Sequence, residues 1–276
     1  MEFLKTIKKR RSLLSEITYV VLNVGLAVLL MIIIRTTGSL WLAFTLVIIG
    51  KWRIFAVRPR FWSANIQANL VSTTISIGYV VFLYVINSAN ASSGQILIAQ
   101  SVLVLLDVGW LLFLKSQSKR SYMVLQAGIA LFVGLVAIYN LSYGWIVAPV
   151  VLLTWLVGYS TARHVLSSYD EEKHSVLLSL VWGLLVAEIG WLAYHATIAY
   201  PLPFTPGLLI PQVSILLLSI GFLTRRAYDS FYHHQKIRGN DIVLPLIFTI
   251  FLSIFLLIVL PLILCGSLSC FRSVGL

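Results

Sequence analysis

The chain has 276 residues, of which 59% are hydrophobic and only 11% charged, with a mean hydropathy of +0.97. A soluble domain carries about 25% charged residues because its surface faces water, so a water-soluble globule is excluded and lipid is part of this chain's solvent. The net charge of +11 falls in short clusters between apolar runs, the pattern of basic loops in a membrane protein, and offers no extended basic surface for nucleic acid.

A membrane helix needs about 20 mostly apolar residues to cross a hydrocarbon core of about 30 Å. That criterion predicts an all-α polytopic bundle of about nine spans, at 17–34, 40–57, 66–86, 95–114, 123–141, 145–162, 176–198, 207–224 and 242–264. The first segment has a basic flank like a signal peptide, but its apolar run of 18 residues exceeds the usual core of about 7–15, and no small-residue cleavage site follows. It reads as a retained anchor. The second is the weak point, because its uninterrupted apolar stretch, Leu40 to Gly50, is 11 residues. It crosses only if Lys51 and Arg53 extend their charged ends toward headgroups; the alternative is a shallow hairpin of the first two segments, leaving seven spans. Thr37-Gly38-Ser39, Asn87 to Gly94, Ser142-Tyr143-Gly144 and the run Pro201 to Pro206 separate the segments.

With the N-terminus in the cytoplasm, 18 of the 20 basic residues fall in inner regions and only Arg35 and Arg272 fall outside. Short loops are where the positive-inside rule applies best, so the C-terminus is expected outside. The longest inner loop, Arg225 to Asp241, has 17 residues. The chain reads as a single membrane domain without a soluble one.

Several residues stand in costly places. Asp107 in the fourth segment and Glu188 in the seventh each lie near the middle of an apolar run, where a charge costs about 2.5–3.5 kcal/mol on insertion scales. Such carboxylates often line a proton or ion path; the plainer reading is that each is protonated or fixes helix packing. Gln100 precedes Asp107 by two turns, giving the fourth segment a polar stripe. His195 follows Glu188 by two turns with Trp191 between them, and either joins that carboxylate in proton or cation handling or reaches headgroup water. Gly183, Ala187 and Gly190, with Ala130 and Gly134 in the fifth segment, are small residues that let helices approach. Asn23 and Asn140 are further intramembrane polar groups. Pro149, Pro211, Pro245 and Pro261 are expected to bend or interrupt helices.

Other motifs are weaker. Cys265 and Cys270 lack a neighbouring histidine for zinc, and in a tail outside the cytoplasm a disulfide between them is open. The pair His233-His234 and the loop residues Asp170, Glu171, Glu172 and His174 read as solvated loop rather than a metal site. No protease, hydrolase or nucleotide-binding signature occurs, and nothing calls for a cofactor. Asp107-Val108-Gly109-Trp110-Leu111 echoes Glu188-Ile189-Gly190-Trp191-Leu192, as an inverted repeat of a transporter would, though the match does not extend further.

The stretch KWRIFAVRPRFWSANIQANL, Lys51 to Leu70, resembles a segment of uncharacterised multi-pass proteins of small-genome candidate-phylum bacteria. The resemblance implies a bacterial cytoplasmic membrane and assigns no functional residue. Three functions compete: a transporter-like protein carrying a proton or small solute past Asp107 and Glu188, a non-catalytic subunit seated on a membrane-protein partner, and a lipid-modifying membrane enzyme. Asp107, Glu188, His195 and Gln100 are the candidate site.

Overall fold

The structure is a computed structural model. It describes residues 2–260 except 57, 116, 118, 143, 170 and 171, with side chains from residue 18 onward apart from 19, 53 and 259. The described chain is all-helical except for one short hairpin. The helices are α1 (Glu2–Thr37), α2 (Leu40–Gly50), α3 (Trp62–Asn87), α4 (Ser93–Gly109), α5 (Arg120–Leu141), α6 (Val147–Leu166), α7 (Ser175–His195), α8 (Gln212–His234) and α9 (Gly239–Ile254). Strands β1 (Ala199–Pro201) and β2 (Leu209–Pro211) separate α7 from α8. Six helical stretches are long and apolar enough to cross a membrane: Val20–Thr37, Pro59–Asn87, Ser93–Leu114, Arg120–Leu141, Ser175–His195 and Gly239–Ile258.

The chain divides into two compact units, Met1–Gln126 with Leu202–Leu208, and Ala127–Pro201 with Leu209–Leu276. In the first, Ala27, Leu30 and Ile34 repeat at helical spacing along α1 and pack on Ala43 and Val47 of α2 and Tyr79, Val80 and Leu83 of α3. The Asn87 amide donates to the Ile34 carbonyl at 3.2 Å, tying the ends of α3 and α1 together. A five-residue turn then leads into α4, which Ser92 and Gln95 start with reciprocal side-chain to backbone hydrogen bonds.

Helix α2 stops at Gly50, seven residues before the expected end of its segment. At 1.5 Å per residue it is about 16 Å long, roughly half of a bilayer core. Two short 3₁₀ turns, Trp52–Ile54 and Pro59–Phe61, connect it to α3.

The second unit is built on α6 and α7, its most closely paired helices. A Cβ on Gly158 would stand 2.7 Å from Val186 Cβ, one on Gly190 would stand 2.9 Å from Thr154 Oγ1, and one on Gly183 would meet Tyr159 and Trp155. These glycines let the two backbones approach. The Gly183, Ala187 and Gly190 stripe therefore serves α6–α7 packing, and Ala130 and Gly134 are buried on α5. Leu131 and Leu135 of α5, Val157, Val186, Val213 and Leu217 complete the core, and the Tyr139 hydroxyl donates to the Gly190 carbonyl at 2.6 Å.

The span expected at 207–224 differs in the structure. Leu209–Pro211 is extended and pairs antiparallel with Ala199–Pro201 in the register Ala199 to Pro211 and Pro201 to Leu209. Asn140 holds this strand, accepting from the Leu209 N–H at 3.1 Å and donating to its carbonyl at 2.7 Å. Its amide thus serves a strand instead of another helix. Helix α8 begins after Pro211 and runs on to His234, where Gln235 ends it in a left-handed conformation, φ 54°. The prolines act mainly as helix starters: Pro149 lies in the first turn of α6 and Pro211 caps α8, where a missing N–H costs nothing. Pro245 alone lies inside a described helix, and Pro261 lies outside the described residues.

Candidate functional site

A half-buried polar helix face belongs to the first unit. On α3, Asn65, Asn69, Ser72, Ser76 and Tyr79 recur at offsets of 4, 7, 11 and 14 residues, which places them on one face. The Asn65 amide donates to the Ile54 carbonyl at 2.6 Å, satisfying backbone in the link that follows α2. Asn69 and Ser76 donate to the α3 carbonyls of Asn65 and Ser72 at 2.8 and 2.9 Å. The Tyr79 hydroxyl donates to the Ala27 carbonyl on α1 at 3.0 Å. This stripe is absent from the sequence-derived candidates, although its spacing is visible in the third segment.

Lys51 caps the end of α2. Its N–H donates to the carbonyls of Val47 and Ile48 at 3.2 and 3.0 Å, and its ammonium donates to Ser72 Oγ at 3.0 Å. The negative end of the helix dipole favours a cation at this position. Ser72 lies fifteen residues from the Asn87 end of α3, and Asp107 fourteen residues from the Ser93 end of α4. These ends are joined by a short turn, so both groups stand about 21–22 Å along antiparallel neighbours, at the same level.

Asp107 is half-buried and lies in the electrostatic reach of Lys115, Lys51 and Tyr79. A local change of winding explains the first of these. After Gly109, α4 continues as a π turn, Trp110–Leu114, in which the Lys115 N–H reaches the Trp110 carbonyl at 3.0 Å. In a regular helix Lys115, eight residues beyond Asp107, would be rotated about 80° from it. A π turn absorbs one extra residue, which reduces the offset to about 20° and brings Lys115 onto the Asp107 face. Gln100, two turns before Asp107, is fully buried; its amide N–H donates to the Leu83 carbonyl at 3.3 Å, while Oε1 has no hydrogen-bond partner among the described residues.

Glu188 belongs to the second unit and is placed differently. It is exposed on α7 beside Leu184, Leu192 and Trp191, on the face opposite Gly183, Ala187 and Gly190. His195 is exposed on the same face, with Trp191 and Tyr194 ring centroids 5.1 and 5.4 Å away in edge-on geometry. A cavity of about 340 Å³ in this unit is lined chiefly by Ile189, Leu192, Ile198, Val213, Leu216 and Gln212, and none of the four candidate residues borders it.

Three other acids of this unit, Glu172, Asp229 and Asp241, are tied into its polar ends. Tyr228 donates to Glu172 Oε2 while Glu172 Oε1 accepts from the His174 N–H at 2.7 Å. These two hydrogen bonds hold the Glu172 carboxyl below its ordinary value, and burial together with the bond to Glu172 pushes the Tyr228 phenol up. The buried Tyr169 donates to Asp229 at 2.5 Å, Arg225 stands 3.4 Å from the same carboxylate, and the Tyr169 ring packs edge-on against Tyr228 and Tyr232. Asp241 accepts from Ser230 at 2.8 Å. No group of three metal-ligating side chains occurs among the described residues. Asp170, Glu171, Cys265 and Cys270 lie outside them, so the weak loop site and the disulfide are left as read from sequence. No family model, curated protein or solved structure matches the chain.

Proposed function

We propose that the chain is a transporter-like protein of a bacterial cytoplasmic membrane, crossing about nine times with its N-terminus inside, and that its polar path runs through the first unit past Asp107. One observation carries this reading: the half-buried Asp107 stands level with Lys51 and Ser72, at a half-length helix and beside the polar face of α3. A broken helix with polar groups at mid-depth is the arrangement by which membrane carriers hold small solutes and protons. On this topology α2 and the two 3₁₀ turns together make the second crossing.

The test needs no known substrate. Native membranes are treated with a carbodiimide from pH 5 to 9 and the modified carboxyls are mapped by mass spectrometry. Labelling of Asp107 that falls as the pH rises supports a reachable, titrating carboxyl. An Asp107 that never reacts is sealed in packing, and the reading fails.

A second reading, a non-catalytic subunit of a membrane assembly, draws on the exposed Glu188 of α7. A carboxylate among exposed leucines is costly against lipid, and a neighbouring membrane protein with a hydrogen-bond donor at that depth would relieve it.

A further inference from the structure

We infer that Lys51, Lys115 and Ser72 form a binding site for an oxyanion, a carboxylate or phosphate group, with Asp107 as the resident counter-anion that the incoming group replaces. The inference rests on the transporter-like reading of the first unit and names its class of solute.

Charge makes the first argument. Between residue 17 and Gln126 the chain has eight basic residues and one acid, Asp107. Two half-buried lysines, Lys51 and Lys115, lie in the electrostatic reach of that single carboxylate, so the cluster has one more basic than acidic side chain. An unbalanced charge away from water is costly, and a bound anion removes the imbalance. The exposed Arg58, Arg60 and Lys119 raise the local anion concentration through the same field.

Geometry makes the second. Lys51 is held by the end of α2 and by Ser72, so its ammonium is positioned before any ligand arrives. The π turn brings Lys115 to the same face as Asp107. Ser72 accepts from Lys51 and keeps its own O–H to donate. Two ammoniums and a hydroxyl on three different elements match the several acceptor oxygens of a carboxylate or phosphate. Asp107 supplies the ligand's negative charge in its absence.

The test is lysine acylation footprinting of the full chain in phosphatidylcholine nanodiscs, read by mass spectrometry, with inorganic phosphate exchanged for chloride at constant ionic strength. The expected result is a saturable loss of acylation, at least about threefold, at Lys51 and Lys115, with Lys173 and Lys236 unchanged. In Asp107→Asn the half-protecting phosphate concentration falls by about tenfold, because the competitor is gone. In Ser72→Ala, a milder change that keeps the fold testable, it rises by about threefold or more.

A parallel set of nanodiscs containing phosphatidylglycerol and no phosphate separates the sources. Protection there alone assigns the site to lipid headgroups, and protection by phosphate alone assigns it to a free solute. No protection in either, or equal protection of Lys236 through ionic screening, overturns the inference. If Asp107 reacts with carbodiimide but neither anion protects the lysines, the transporter-like reading stands and the oxyanion site falls. If the lysines are protected while Asp107 never reacts, the titrating path falls and the anion site remains.

Discussion

The two units of this chain handle charge in opposite ways. The first has thirteen basic residues and three acids, two of which, Glu2 and Glu16, precede the first apolar segment. The second has seven basic residues and six acids. In the second unit Glu172, Asp229 and Asp241 are each fixed by tyrosine, serine, arginine or backbone partners near helix ends, and Glu188 faces outward. In the first, one carboxylate is left among lysines, level with the end of a half-length helix. Two acids in similar pentapeptides, each in a helix long and apolar enough to cross a membrane, are therefore not equivalent. What surrounds each one decides what it can do.

The pentapeptides themselves show how far local likeness reaches. Trp110 is 7% exposed and opens a π turn, whereas Trp191 is 47% exposed on a regular helix. Gly109 has open space where a Cβ would stand, while Gly190 touches Thr154.

The glycines give the largest expected effect. Gly158→Leu forces a side chain into Val186 and should destabilise the second unit by about 3 kcal/mol, at the upper end of overpacking costs, read as a lowered thermal midpoint in detergent. Gly109→Ala in the first unit should leave that midpoint nearly unchanged. A comparable loss from both would erase the packing contrast between α4 and the α6–α7 pair.

Removing the two acids gives the next effect. Asp107→Asn leaves two lysines without their shared carboxylate and should cost about 1–3 kcal/mol, as expected when buried polar groups lose a partner. Glu188→Gln should be close to neutral, because that side chain is exposed and no side chain among the described residues holds it. Equal midpoints for the two variants would show that Asp107 is not electrostatically coupled to its surroundings.

The smallest effect concerns Glu172. Its folded pKa lies below the unfolded value near 4.5, so its contribution is fully present above that value and is lost as the pH falls through the lower folded one. Limited proteolysis of the loop between α6 and α7 should therefore accelerate on acidification below the unfolded value near 4.5, and Tyr228→Phe should shift that onset upward. An onset unaffected by Tyr228→Phe would mean that the clamp holds nothing.

Much of the helical layout was legible because apolar length is a direct consequence of bilayer thickness. The run Leu40 to Gly50 coincides with α2, so the half-length helix was visible in its apolar stretch; only the continuation to residue 57 needed charged side chains to stay helical. The hairpin was not legible, since two three-residue strands show no periodicity and Pro201 to Pro206 reads simply as a separator. Gln100 and Asp107 share a stripe that spacing alone reveals. The roles of Lys51 and Lys115 were hidden, because one depends on where α2 stops and the other on a one-residue change of winding that no residue type announces.

The most direct test of the central claim compares two carbodiimides on the same membranes, one water-soluble and one hydrophobic, with modified acids mapped by mass spectrometry. The account predicts that the water-soluble reagent reaches Asp107 along the polar face of α3, and that Glu188 reacts only with the hydrophobic one. Labelling of Glu188 but not Asp107 by the water-soluble reagent would contradict it, placing the polar path in the second unit.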